Sequence, residues 1–569
     1  MRRTLESRVT AALLAVGGTI AGLDSPSPAR GRDRPAQPVR VGPVESGRDV
    51  AAPAPTCRLR RLSSPLAGGG PAAGLSRLAA ALLAAAFVLA ASAPVFAEDM
   101  PAAVPPAAVR FDPDAPVPLS PQIPGDVDPA LRAALLAKGE LMLAHRLFER
   151  QQWAAFVALS WPVDEAGGPR PRLGDAGAPA WSGWIETYQV FKPDGADPDP
   201  WDGETRSLPL AGKVQTPVVD ATTTAELPPI GRRDARVLHG LSSIQRLSVA
   251  DEVDQAFSFA VFDQNGNPAH YESLLNKVEY DFIVDNELFH AGGLAAYVAK
   301  HGKLTFPAGS FAGGPTGAIE LKLAWRVLDP ARDDFGRYLT QPGYVAAGTP
   351  AGPAWKAVTV GLVGFHIAQK TETAPQWIWS TFEHVDNLAV DRLAKVRAAD
   401  GNEVPLAASF NDAACEWCPV NVPVAAPGPD GKRRTQVQRL SPIPKETQAL
   451  NAMMRAALEK AGSKLAFYEM VGTQWPTDPA APPEAGAAFP GAVANMSGGK
   501  PLTVYLANSV METFAQAGNL PADEQSRATS TSGRLVFGNG SCMGCHYTSP
   551  YDFSWIMTKA QPRPPEAAK

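Results

Sequence analysis

The chain has 569 residues, of which 45% are hydrophobic and 19% charged, a balance that suits a globular protein of two or three domains and excludes global disorder. Residues 1–97 contain twelve Arg, no Lys and five acidic residues, a net charge of +7, whereas residues 98–569 contain 40 basic and 52 acidic residues. The acidic main part excludes nucleic acid as an expected partner, because phosphate binding requires a basic surface, and it suits docking to a basic patch on a protein partner.

An apolar run without charge extends from Leu78 to Ala93, with four Arg before it and small residues up to Ala97 after it. This order of basic, apolar and small residues is typical of a secretory signal peptide. We therefore expect an exported, periplasmic protein that begins at Glu98 after cleavage. The residues upstream of the run indicate a start site assigned too early or a disordered extension, and an uncleaved run would act as a membrane anchor.

Helical and extended segments follow in chain order. Residues 98–129 contain nine Pro and predict an extended linker. A helix is expected from Pro129 to about Leu159, because Asp128 can cap it and leucines recur at helical spacing. A second clear helix is predicted over Lys445–Ala461, where an apolar stripe ends at Gly462.

The middle of the chain is β-rich. Apolar and polar residues alternate over Ile319–Val327, which predicts a half-buried strand. The apolar run Val358–Ile367 predicts a central strand, and Trp377–Trp379 is its expected hairpin partner. We expect Tyr271–Leu294 to be helical.

Two polar motifs in this region have competing interpretations. Cys415 and Cys418 form a C-x-x-C motif without a following His, which predicts a disulfide in an oxidising compartment. A thioredoxin-like redox role would need a surrounding βαβ pattern, which is absent from this sequence. Glu383, His384 and Asp386 are a candidate metal cluster, but their spacing on an alternating strand predicts unrelated surface groups.

The strongest motif is Cys542-Met543-Gly544-Cys545-His546, the attachment pattern of haem c. Two thiols three positions apart lie on one side of a helical turn, so both can bind one porphyrin, and the next residue, His546, reaches the iron as an axial ligand. The alternatives are a redox disulfide, which needs no His, and half of a zinc site, which needs two further ligands. The motif predicts one covalent haem c, bound at Cys542 and Cys545.

The sixth iron ligand is left open by the sequence. The candidates are Met557, Met511, Met496, His366 and His384, and an open iron site is a further alternative. Little chain follows His546, and burying a porphyrin requires apolar cover. We therefore expect the haem to lie between the C-terminal segment and the β-rich body.

These observations predict an α+β fold with a β-rich central body, flanking helices and a C-terminal, mostly irregular or helical haem c segment. The expected divisions are an N-terminal extension and signal peptide (1–97), a Pro-rich linker (98–129), an α+β body (130–475), a Pro/Ala-rich linker (476–491) and the haem c segment (492–569).

Ser541–His546 followed by Asp552-Phe553-Ser554 resembles the haem segment of large, poorly characterised bacterial cytochrome c family proteins. Three further stretches are similar to that family, namely Phe156–Pro162, Gly361–His366 and Gln376–Asn387. The resemblance extends over roughly residues 120–560, and it implies an exported monohaem protein that transfers electrons. Only Cys542, Cys545 and His546 take an established role from it.

The leading hypothesis is a periplasmic electron carrier that docks a redox partner protein, rather than a catalyst. The alternatives are a haem-dependent, peroxidase-like oxidoreductase and a haem sensor, both of which need an open iron site.

Overall fold

Alternating and β-branched residues of the middle of the chain form a large, mainly antiparallel sheet, seen in a computed structural model. The structure describes residues 110–203, 223–224, 230–238, 260–311, 313, 315–349, 352–415, 418–482, 498, 501–503, 505–516, 541–547 and 549–564. The expected signal peptide and N-terminal extension (1–97), the start of the Pro-rich linker and most of the second linker lie outside these residues.

The helices are α1 (Pro129–Ala137), α2 (Leu141–Leu159), α3 (Thr187–Val190), α4 (Lys277–Asp285), α5 (Ala291–His301), α6 (Lys445–Lys460) and α7 (Cys542–His546). The strands are β1 (Pro162–Val163), β2 (Ala178–Pro179), β3 (Ile185–Glu186), β4 (Thr223–Thr224), β5 (Arg236–Leu238), β6 (His270–Leu275), β7 (Ile319–Val327), β8 (Thr340–Thr349), β9 (Gly352–Gln369), β10 (Ile378–His384), β11 (Lys395–Arg397), β12 (Glu403–Pro405), β13 (Tyr468–Pro476) and β14 (Pro501–Leu502).

The large sheet has the strand order β14-β13-β10-β9-β7-β6-β3 along its main path. The long strand β9 is its centre: its first half pairs with β8, and its second half lies between β7 and β10. Strand β4 also pairs with β9, and β5 pairs in parallel with β8. The predicted strands Ile319–Val327 and Val358–Ile367, and the hairpin that follows them, are confirmed.

One face of the sheet packs against α2. Successive side chains of a strand point to opposite faces, and the face towards α2 carries Ile319, Leu321, Leu323, Phe365, Ile367, Ile378 and Phe382, all buried in one apolar core. The Phe156 ring of α2 stacks on Phe382 with 4.2 Å between ring centroids and meets Phe365 edge-on at 5.2 Å. This core anchors α2 and fixes the register of the central strands.

The opposite face, which we call the C-terminal face, carries polar side chains of the same strands. The C-terminal residues 505–516 and 541–564 pack on it. Asn508 Nδ2 donates to Thr381 Oγ1 at 2.7 Å, Ser509 Oγ donates to Glu383 Oε2 at 2.6 Å, and Tyr271 donates to the Val510 carbonyl at 2.8 Å. All these segments belong to one compact unit, residues 96–569.

The helices follow the sequence signals in part. Asp128 accepts hydrogen bonds from the amides of Ala130 and Leu131, as its predicted capping role requires. The expected single helix to Leu159 is two helices, because Gly139 adopts a φ of +75° between them. Helix α6 confirms the second prediction, with Gly462 beyond its end at a φ of +67°.

The prediction of a helix over Tyr271–Leu294 was wrong in its first part. Residues up to Leu275 belong to β6, which pairs with β7, and α4 and α5 follow as separate helices. Pairing with a strand some 50 residues away outweighs local helical propensity.

The α+β class itself is confirmed. Each helix within the described ranges is too short or too polar to cross a membrane.

Candidate functional site

The C-x-x-C-H motif forms the short helix α7. Gln474, on the neighbouring strand β13, holds its start: its side-chain oxygen accepts from the Met543 amide at 2.7 Å, and its side-chain nitrogen donates to Ser541 Oγ at 2.8 Å. Cys542 is not in a disulfide, and its amide donates to the Leu506 carbonyl at 3.2 Å. The helical backbone brings positions 542 and 545 to one side of a turn, as haem attachment requires.

His546 has a defined tautomer. Its Nδ1 lies 2.7 Å from the carbonyl oxygen of Phe553. A carbonyl can only accept, so Nδ1 carries the proton and Nε2 carries the lone pair that a metal needs. Desolvation lowers the pKa of His546 to about 4, which keeps the imidazole neutral at physiological pH. The ring lies 4.0 Å from that of Trp379.

The loop that presents the Phe553 carbonyl is held in an unusual conformation. Asp552 and Phe553 have φ values of +46° and +68°, in the left-handed region that non-glycine residues rarely adopt. Lys370 Nζ contacts the Asp552 carboxylate at 2.6 Å, the Phe306 amide donates to it at 2.8 Å, and Trp377 Nε1 donates to the Asp552 carbonyl at 2.9 Å. These contacts offset the conformational free energy that the left-handed backbone of Asp552 and Phe553 costs.

A polar cluster lies close to His546 on the C-terminal face. His366 Nε2 is 3.0 Å from Glu512 Oε1, and Lys322 Nζ is 4.0 Å from the same oxygen. Burial alone would raise the pKa of Glu512, but His366 and Lys322 lower it to about 2. The charges of all three residues also affect the pKa of His546, so the cluster and the imidazole share one local environment.

The three side chains of this cluster are half-buried. The side chains of His366, Lys322 and Glu512 remain 16%, 19% and 22% exposed, although the first two lie on the central strands β9 and β7. Their strand neighbours on the opposite face are buried. The described residues therefore leave the sheet partly uncovered beside His546.

The other sixth-ligand candidates have different surroundings. Met557 and Met511 are fully buried in two apolar clusters, the second against Gly364. His384 is also fully buried: its Nε2 faces the Arg337 carbonyl at 3.0 Å, and its Nδ1 accepts from the Asp386 amide at 3.1 Å. Both nitrogens of His384 are engaged, which leaves none for iron. Met496 lies outside the described residues.

The second cysteine motif and the acidic cluster are apart from this site. The sulfur atoms of Cys415 and Cys418 are 2.01 Å apart, at bonding distance. Glu383, His384 and Asp386 are buried, so their interpretation as surface groups was wrong. Glu383 bonds to Arg439 and Asp386 bonds to Arg337, so the two carboxylates serve different partners. No group of three or more metal-binding side chains converges in the part of the chain that the structure describes.

Sequence reasoning missed two carboxyl groups near the same loop, Glu279, which is buried, and Glu320, which is half-buried. Glu279 of α4 faces Glu320 of β7, and Ser554 of the C-terminal segment lies beside Glu320. Burial raises the pKa of Glu320 to about 7 and that of Glu279 well above its usual value. The alternation in β7 placed Glu320 on a solvent-facing side, but the C-terminal segment covers that side.

The residues of this site fit a c-type haem. The motif is helical, the Nδ1 bond to Phe553 leaves Nε2 of His546 unprotonated, and half-buried polar side chains lie close to the imidazole. A metal-binding His that donates its other N–H to a backbone carbonyl is the usual arrangement in metalloproteins. No protein-family model, curated protein or solved structure matches the chain.

Proposed function

We propose that the chain is an exported c-type cytochrome that binds one haem covalently and transfers electrons in the periplasm. The observation that carries the proposal is the tautomer of His546, because its Nδ1–H bond to Phe553 leaves Nε2 as the free ligand atom of a C-x-x-C-H motif. The resemblance to bacterial cytochrome c family proteins and the signal-like segment support the same function.

Three residues of the motif would hold the haem in this proposal. The thiol S–H of Cys542 and that of Cys545 would each add across a vinyl group of the porphyrin, which gives two thioether bonds and loses no atoms. His546 would supply a nitrogen ligand to the iron, and the Phe553 carbonyl fixes the orientation of its ring. The bound haem would supply a one-electron iron couple, and the acidic main part of the chain would dock a redox partner with a basic surface.

A second function is favoured by the half-buried polar cluster of His366, Glu512 and Lys322. Partly exposed His366, Glu512 and Lys322 beside an iron site resemble the acid–base groups that a haem-dependent oxidoreductase uses, and they would also suit a haem sensor. Both alternatives require an iron position open to small molecules.

The test is expression of the full chain together with a haem attachment system. We expect haem fluorescence or peroxidase staining that stays with the polypeptide on a denaturing gel. Cys542→Ala and Cys545→Ala should each weaken that signal strongly, and the double variant should abolish it. Cys415→Ala is the matched control and should retain it. Equal staining of the double variant and the parent would refute covalent attachment at the motif.

A further inference from the structure

We propose that His366 would be a second protein ligand of the haem iron, in addition to His546, and that Glu512 orients it. This inference rests on the proposed function, since it assumes a haem at Cys542 and Cys545. It assigns a metal ligand on the central strand of the sheet, far in sequence from the attachment motif.

The sheet register brings the two histidines together. His366 of β9 pairs with Thr381 of β10. Trp379 lies two residues before Thr381, on the same face, so it is a diagonal neighbour of His366 at roughly 7–8 Å between backbones. The Trp379 ring in turn contacts His546, with centroids 4.0 Å apart. One aromatic side chain therefore separates the backbones that carry the two imidazoles.

The hydrogen bonds of His366 suit a metal ligand. Its Nε2 faces Glu512 Oε1 at 3.0 Å and donates its proton to the carboxylate, so Nδ1 is the nitrogen that would bind iron. Carboxylate–histidine–metal arrangements of this kind fix the ring and increase its basicity. Glu512 is fixed as well, because its other oxygen accepts from the Asn508 amide at 2.7 Å.

The competing side chains in reach are less suitable. Met511 and Met557 are 1% and 0% exposed, whereas the His366 side chain is 16% exposed. Lys322 lies 4.0 Å from Glu512 and 5.9 Å over the Tyr271 ring, and an ammonium must lose its proton before it can bind a metal.

The experiment measures the ligand state of the purified full-length holoprotein. We expect a six-coordinate, low-spin ferric spectrum with two nitrogen ligands by electron paramagnetic resonance, and a ferrous form that does not bind carbon monoxide. His366→Ala should become high-spin or water-ligated, and the bound fraction of carbon monoxide should rise at least tenfold. His366→Met should replace the nitrogen signature with the sulfur-to-iron charge-transfer band of Met ligation.

Two control variants separate ligation from a structural role. His301→Ala changes an exposed histidine of α5 and should leave the spectrum unchanged, and Met511→Leu should do the same. Glu512→Gln keeps His366 but removes the carboxylate, so the iron should stay low-spin while its reduction potential rises. That variant also covers the case in which His366→Ala fails to fold.

Three results would overturn the assignment: a high-spin parent protein, a Met charge-transfer band in the parent, or a low-spin, carbon monoxide-inert His366→Ala variant. A low-spin Glu512→Gln variant with an unchanged potential would also count against it. A chain without covalent haem is a different result, since it would refute the proposed function itself.

Discussion

The Nδ1 of His546 donates a 2.7 Å hydrogen bond to the carbonyl oxygen of Phe553, seven residues further along the chain. This bond joins the attachment helix to a loop whose backbone is held in the left-handed region at two successive residues. The orientation of the proposed iron ligand therefore depends on contacts that fix the loop, and these contacts can be changed without altering the motif.

Removing the carboxylate of Asp552 should destabilise the fold. Asp552→Ala leaves the ammonium of Lys370 buried without its partner, and breaking a buried ion pair on one side costs about 3–5 kcal/mol. The free energy of unfolding by urea is the measurement. Asp281→Ala is the control, because the Lys277–Asp281 pair is exposed and such pairs contribute roughly 0–1 kcal/mol. Equal decreases in the free energy of unfolding of the two variants would contradict the conclusion that buried Asp552 stabilises the loop.

The carboxyl pair Glu279–Glu320 should make stability depend on pH. The pKa of Glu320 is raised by burial from 4.5 to about 7, so between these values the native state binds more protons than the unfolded state. Its contribution to stability therefore falls as the pH rises through this window, by about 3 kcal/mol in total. Glu320→Gln has no titratable group at this position, so its free energy of unfolding should increase relative to that of the parent as the pH rises.

The measurement is the difference in unfolding free energy between Glu320→Gln and the parent at pH 5 and at pH 8. Using the difference cancels the titration of groups that do not interact with Glu320. Glu165→Gln changes an exposed carboxylate and should give the same difference at both pH values. A Glu320→Gln difference that does not grow with pH would show that Glu320 is ionised in the native state.

Truncating the Phe156 side chain should lower the free energy of unfolding more than the substitution of any exposed residue. Its ring is fully buried and stacks on Phe382, so Phe156→Ala loses buried area and leaves a cavity, at about 3–5 kcal/mol. Leu393→Ala is the control, since Leu393 is 92% exposed. Thermal unfolding of both variants checks this, and a Phe156→Ala loss below about 1 kcal/mol would contradict the packing of α2 on the sheet.

The sequence predicts the central strands because local patterning determines them. Ile319–Val327 alternates, and Val358–Ile367 is apolar throughout, so each segment indicates both a strand and its buried side. Helix α6 is equally local, with a stripe that ends at Gly462. These elements need no knowledge of distant partners.

The errors came from contacts that are distant in sequence. Tyr271 begins a segment with helical character, yet it pairs with β7, and only the folded sheet selects that alternative. The sequence alone predicts that Glu320 faces solvent, but residues 549–560 cover its side of the sheet. The motif at Cys542–His546 is visible in the sequence, whereas the bond from His546 to Phe553 and the approach of His366 depend on strand register.

The decisive measurement is the haem content of the purified full-length protein, determined by pyridine haemochrome absorbance against protein concentration after acid–acetone extraction. We expect one haem c per chain, retained after extraction because it is covalently bound. A value of zero, or a haem that the solvent removes, would contradict covalent attachment, and a value of two would contradict the assignment of a single site at Cys542 and Cys545.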